Sequence, residues 1–219
     1  DKKWVEKILI GGLLGIIPIV NFIPVGYALR ALKNRAENRA DILPDWDDWG
    51  GDWVRGALVF VAGLVYAIPI LLLAIPYGIV MAVTQQGSGE GGVCSGLYSC
   101  GAGLWGIVIA IVLPAGIIKY ATEGTFGSFF RFSEIFRFIS DNISNYIVAL
   151  LLILVAGIAA SIVGSILCGI GLLFTEFWSY LVSAHLLGQV KAASTPGAGS
   201  TTFYSEPTPP AAPSEEPSS

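Results

Sequence analysis

The chain has 219 residues, 54% of them hydrophobic and 13% charged, with a formal net charge of −4. Its first 190 residues are mostly apolar runs and short connections, which leaves no stretch long enough to bury a separate soluble core. The acidic sum mixes residues from different parts of the chain, so the position of each charge says more about partners than the total does.

Gly56 to Thr84 and Gly101 to Ile118 hold no charged residue, and Tyr146 to Val190 holds only Glu176 and His185. A hydrocarbon core about 30 Å thick takes about 20 apolar residues as a helix, since only helices and closed barrels pair every backbone group without water. Barrel strands would alternate apolar and polar residues, whereas the run from Ala149 to Ala156 is apolar on every side. The expected fold class is all-α: a polytopic membrane helix bundle of about four full spans with an N-terminal proline-broken membrane helix and cytoplasmic interfacial amphipathic helices. Residues 1–192 form the expected membrane domain. Residues 193–219 form a Pro/Ser/Glu-rich tail whose only large apolar groups are Phe203 and Tyr204, too few to offset the entropy of ordering it.

The first apolar run, Ile8 to Leu29, is interrupted by Pro18, Asn21 and Pro24 and has basic residues on both sides. A plain crossing would leave one basic cluster outside, so the run is expected to be a re-entrant hairpin with Asn21 near its apex; a kinked single span with an outside N-terminus is the alternative. The chain opens on Asp1, and a leader removed ahead of it would favour that alternative. Next come Leu43, Pro44 and a segment of three tryptophans among acids. Trp46, Trp49 and Trp53 are expected to anchor in the headgroup zone, and the acids to form a solvated collar that caps a helix. Asp45, Asp47 and Gly50 match part of a calcium loop, but Trp49 and Gly56 stand where ligands belong, so the metal signal is weak.

Gly56–Thr84 and Gly101–Ile118 are the expected second and third runs, joined by Gln85–Cys100. That connection carries none of the twelve Lys and Arg residues, whereas Lys119, Arg131 and Arg137 follow the third run. The positive-inside rule therefore puts Gln85–Cys100 outside the cytoplasm and the 119–145 segment inside. In an oxidising compartment Cys94 and Cys100 are a candidate disulfide. Over Phe126–Ser140, Phe129, Phe132 and Phe136 share one side of a helical wheel while Arg131, Glu134 and Arg137 take the other. That pattern predicts an interfacial helix with those phenylalanines as anchors, burial under another helix being the alternative.

The run from Tyr146 to Val190 is twice a span and is expected to cross as Tyr146–Leu167 and Leu172–Val190, turning near Gly169 and Gly171 and returning the tail to the cytoplasm. Asn21, Glu176 and His185 are the candidate intramembrane polar residues; Glu176 is expected to reach the outer interface and His185 the inner one, a proton or substrate relay being the alternative. Glu176 and His185 are nine apart on one helix and so face opposite ways. Gly164 and Ser161 read as helix contact. Trp4-Val5 leading to Pro18 is faintly echoed by Trp53-Val54 leading to Pro69, a weak sign of a repeated unit.

Gly11-Gly12 through Ile16-Ile17-Pro18, Gly26-Tyr27, Leu43-Pro44-Asp45-Trp46-Asp47-Asp48-Trp49, Asn145-Tyr146, Gly169 to Thr175 and Ala184-His185-Leu186-Leu187-Gly188-Gln189 together resemble the domain of unknown function 4013 family. The resemblance covers nearly all of residues 5–190 and implies a multi-span membrane protein of archaea or bacteria. It implies no activity, and no catalytic residue is carried over. The cysteine-bearing connection looks like a variable insertion relative to that pattern.

No Gly-x-Ser-x-Gly or His-Glu-x-x-His motif and no paired acids within a span are present, so an enzyme is not expected and no catalytic, cofactor or metal residue is assigned. The expected function is a non-enzymatic scaffold or accessory subunit, with membrane lipids, a membrane-protein partner or a homo-oligomer as its associates. Nucleic acid is not expected, because the basic groups sit among aromatics at the membrane surface. The alternative is a small-solute transporter or channel, whose cavity would use Asn21, Glu176 or His185.

Overall fold

The computed structural model describes residues 4–83, 89–166 and 170–194, with the side chains of 89–94 and 170 excepted. Among the described residues there are seven α-helices and no strand: α1 Trp4–Gly15, α2 Phe22–Ala36, α3 Trp49–Val83, α4 Gly89–Glu123, α5 Phe132–Asp141, α6 Ile143–Ile166 and α7 Ile170–Ala193. Three of these helices contain stretches long and apolar enough to cross a membrane: Trp49–Val83, Ser95–Glu123 and Ile143–Ile166. Helix α7 is also 24 residues long but carries Glu176, His185 and Lys191.

The first apolar run breaks over residues 16–21. Pro18 has no N–H and its ring collides with the preceding turn, so α1 ends and the chain reverses through Ile19 at φ 77°, a strained angle for a β-branched residue. Pro24 does not break α2. It sits in the helix's first turn, where the missing N–H would be unbonded in any case. At the far end Asn38 takes the left-handed conformation at φ 52°, and the amides of Glu37, Asn38 and Arg39 bond back to the carbonyls of Lys33, Arg35 and Asn34, closing the helix. The two short helices form a hairpin.

Helix α3 starts at Trp49 because Asp48 caps it, its Oδ1 accepting from the Gly51 amide at 3.0 Å. Its partner α4 begins at Gly89, so most of the expected Gln85–Cys100 connection is helix. The glycines there are poor helix formers, but packing outweighs propensity: the Tyr77 ring stacks on Tyr98 at 4.5 Å and the Tyr77 hydroxyl lies 3.4 Å from Ser95 Oγ. This also corrects the disulfide expectation. Cys94 and Cys100 stand six residues apart on one helix, about 9 Å along its axis, beyond the reach of an S–S bridge. Cys100 is a free, exposed cysteine, and the Cys94 side chain lies outside the described residues.

Gly124, at φ 73°, ends α4. The expected interfacial helix Phe126–Ser140 is two pieces, a 3-10 turn Phe126–Phe130 and then α5, split at Arg131. The split sends Phe129 into the core, where its ring stacks on Tyr120 at 4.7 Å, while Phe132 and Phe136 stay exposed. Helices α6 and α7 pair through a row of small residues, Ala156, Ala160 and Gly164, with Gly164 against Leu172 and Thr175. Ser161 is exposed and bonds its own Gly157 carbonyl. Of the expected turn near Gly169 and Gly171, Gly171 lies in α7, whereas residues 167–169, Cys168 among them, and the tail beyond Ser194 lie outside the described residues.

Tyr27, Leu32, Ile118, Ile135, Tyr146 and Val190 are among the fully buried side chains that join α2, α4, α5, α6 and α7. Buried tyrosine hydroxyls tie the bundle internally: Tyr66 donates to the Phe129 carbonyl and Tyr146 to that of Ile111, both at 2.6 Å. At Gly26 an added Cβ would strike the Asp52 carbonyl, and at Gly56 that of Phe22, so α2 and α3 cross with their backbones in contact. Gly26→Ala and Gly56→Ala are each expected to cost about 2 kcal/mol or more through forced separation. Gly63→Ala, with open space around it, is expected to cost nothing; thermal unfolding in detergent compares the three.

Candidate functional site

The Leu43–Trp53 segment folds over the hairpin as a polar clamp. Arg30, on α2, lies in its middle: Nε and Nη2 donate to the two carboxylate oxygens of Asp52 at 2.8 and 2.7 Å, Nη1 donates to Asp47 at 2.7 Å, and Nη2 also reaches the Asp45 carbonyl at 2.9 Å. Arg55 adds 2.9 Å bonds to Asp48 and Asp52. Asp52 is fully buried and is therefore satisfied by two guanidinium groups. Lys7, on α1, bonds the Leu43 carbonyl at 2.9 Å and pairs with Asp45 at 3.2 Å. The Tyr27 hydroxyl donates to the Pro44 carbonyl at 2.6 Å.

The aromatic residues complete the clamp. Trp46 stacks on Tyr27 with ring centres 4.0 Å apart and lies 5.9 Å from the Phe177 ring of α7, so it is wedged between helices. Trp49 and Trp53 are exposed, but the Trp53 indole donates to the Ile19 carbonyl at 2.8 Å and so pins the apex of the hairpin to α3.

Beneath the clamp lies a cavity of about 740 Å³, walled by the hairpin, α3, α7 and Ile117 of α4. Two of the three candidate polar residues, Asn21 and Glu176, line it. His185 does not. It lines a smaller cavity of about 310 Å³ beside Asp41 and Leu43, with its Nε2 3.0 Å from Gln189 Nε2. Tyr180 and Ser183 also line the larger cavity and escaped the sequence reading. Their spacing after Glu176, four and seven residues, puts all three on one face of α7, and that periodicity was the available signal.

A profile of the family described as "Protein of unknown function (DUF4013)" matches residues 10–169, well over half of the chain. The chain belongs to that family. The match takes in the hairpin from Ile10 onward, the Leu43–Trp53 segment and α3 to α6, and stops before α7. An uncharacterised protein of Methanocaldococcus jannaschii is 32% identical over 143 residues, 62% of this chain and 46% of that protein. The chain thus spans about half the length of this relative. No solved structure matches.

The Arg30 guanidinium holds the Asp47 carboxyl below its usual range, and Arg55 does the same for Asp48. A depressed folded value means that the contribution is whole above the unfolded value near about pH 3.9 and is lost as pH falls through the folded values. The thermal midpoint is therefore expected to hold on mild acidification and to fall below about pH 4. Asp52→Asn, which leaves two guanidiniums around a buried neutral group, is expected to cost about 3 kcal/mol or more, and Asp47→Asn far less; unfolding of both at neutral pH checks the order.

Proposed function

We propose that this protein is a non-enzymatic membrane scaffold or accessory subunit, multi-pass in the cell membrane, which associates with lipid, with another membrane protein or with a second copy of itself. The observation that carries this reading is the direction in which its chemistry points. The charged groups of the clamp are bonded to one another, while what the molecule turns outward is apolar: Leu64, Leu72 and Ile79 on α3, Leu104 and Ile107 on α4, Leu151 and Val155 on α6. The cavity wall is mostly apolar as well. In this reading the α1–α2 hairpin is re-entrant, α7 is a fourth crossing, the tail is cytoplasmic and the α3–α4 connection lies outside. Helices of 12 and 15 residues reach about 18 and 22 Å, short of a 30 Å core, which supports entry and return on one side.

A small-solute transporter or channel is the second reading, favoured by the convergence of Asn21 and Glu176 on one cavity and by Pro69, Pro76 and Pro114 within the long helices. Mass spectrometry of the protein gently purified from its native membrane is expected to find a stoichiometric lipid or protein. Solute flux in vesicles that is lost in Asn21→Ala or Glu176→Gln would replace the scaffold reading with the second. On a background without native cysteines, single cysteines at positions 3 and 38 are expected to be labelled from the same side of the membrane, and one at 87 from the other. Labelling of 3 and 38 from opposite sides would rule out the re-entrant hairpin.

A further inference from the structure

The larger cavity is apolar in its depth, at Leu29, Leu32, Val59 and Leu187, while its mouth carries Asn21 and Glu176, both exposed. Around that mouth Phe60 and Leu172 are exposed, and so is Ile19 at the hairpin apex, two residues before Asn21. These residues belong to the outward apolar surface of the helices, so the mouth opens toward hydrocarbon and an occupant enters from the bilayer. The volume of about 740 Å³ lies within the size that encloses a small ligand and suits a single hydrocarbon chain.

A carboxylate at an apolar mouth is costly unless it meets a positive charge or a strong donor. The Tyr180 hydroxyl, one turn on, donates to Glu176, and the residues lining this cavity include no Lys or Arg, so a positive charge to match the carboxylate falls to the occupant. We infer that the cavity holds one bilayer lipid by a hydrocarbon chain and that Glu176, with Asn21, bonds a cationic amine in its headgroup. This deepens, and rests on, the lipid-associating reading given above.

The test uses the full chain in nanodiscs with equal amounts of phosphatidylethanolamine and phosphatidylglycerol, released for native mass spectrometry. One phosphatidylethanolamine is expected to stay bound per chain, preferred about tenfold as a charge-assisted bond would give. Glu176→Gln, nearly isosteric, is expected to erase that preference without moving the unfolding midpoint. Val59→Trp, which fills the cavity, is expected to lower retention of both lipids. Equal retention of the two lipids, or a preference that survives Glu176→Gln, overturns the inference while leaving lipid association standing. A bound protein with no lipid also overturns it and leaves the accessory-subunit reading. Glu176-dependent solute flux removes the reading beneath both.

Discussion

Arg30 grips both oxygens of Asp52 where the backbones of α2 and α3 touch at Gly26 and Gly56, and the rest of the bundle is arranged around that crossing. In a bilayer, apolar side chains gain little by leaving lipid for one another, so helices are joined by close backbone approach and by polar bonds. Both devices operate at this one place. The cluster is also close to all-or-none, because a buried carboxylate is tolerable only while its cations remain, and removal of one partner leaves the other as an uncompensated buried charge. Tyr27 and Trp46 then carry the clamp across to Phe177, so the same contact that fixes the hairpin to α3 also sets its distance from α7. The cavity exists in the space those contacts hold open.

Much of this was legible in the residues. The long helices declare themselves through unbroken hydropathy, a property of each segment alone, and the hairpin through Pro18 and Asn21, whose effects act within a turn of chain. Asn21 and Glu176 stood out because polar groups are rare in apolar runs, although nothing in the sequence placed them on one cavity. The clamp was not legible as a clamp. Asp52 was read as part of a solvated collar because its partner Arg30 lies 22 residues away, and only the crossing of α2 and α3 brings them together.

Other differences arise from packing that local patterns do not encode. Trp46 was assigned to the headgroup layer on residue type, which does not encode its stacking on Tyr27. The glycine-rich start of α4 read as a connection because it lies between two charge-free apolar runs, and the tyrosine pair that holds it to α3 as helix is not a local pattern. Phe129 was placed beside Phe132 and Phe136 on a single helical wheel. The break at Arg131 rotates it off that wheel and into the core, with Ser128 and Glu123 bonded at 2.8 Å behind it.

The shortness of α1 and α2 also bears on how the molecule is assembled. The hairpin leaves the ribosome before any of its partners: Lys7 and Arg30 are made ahead of the aspartates that neutralise them, and α7 is the last of the described helices to be made. Neither short helix is long enough to be threaded across as an ordinary span. In the re-entrant reading proposed above, the N-terminal segment therefore waits at the membrane surface until Asp47, Asp48 and Asp52 emerge, and its descent into the bundle is a late step that closes around α7 rather than the first act of insertion.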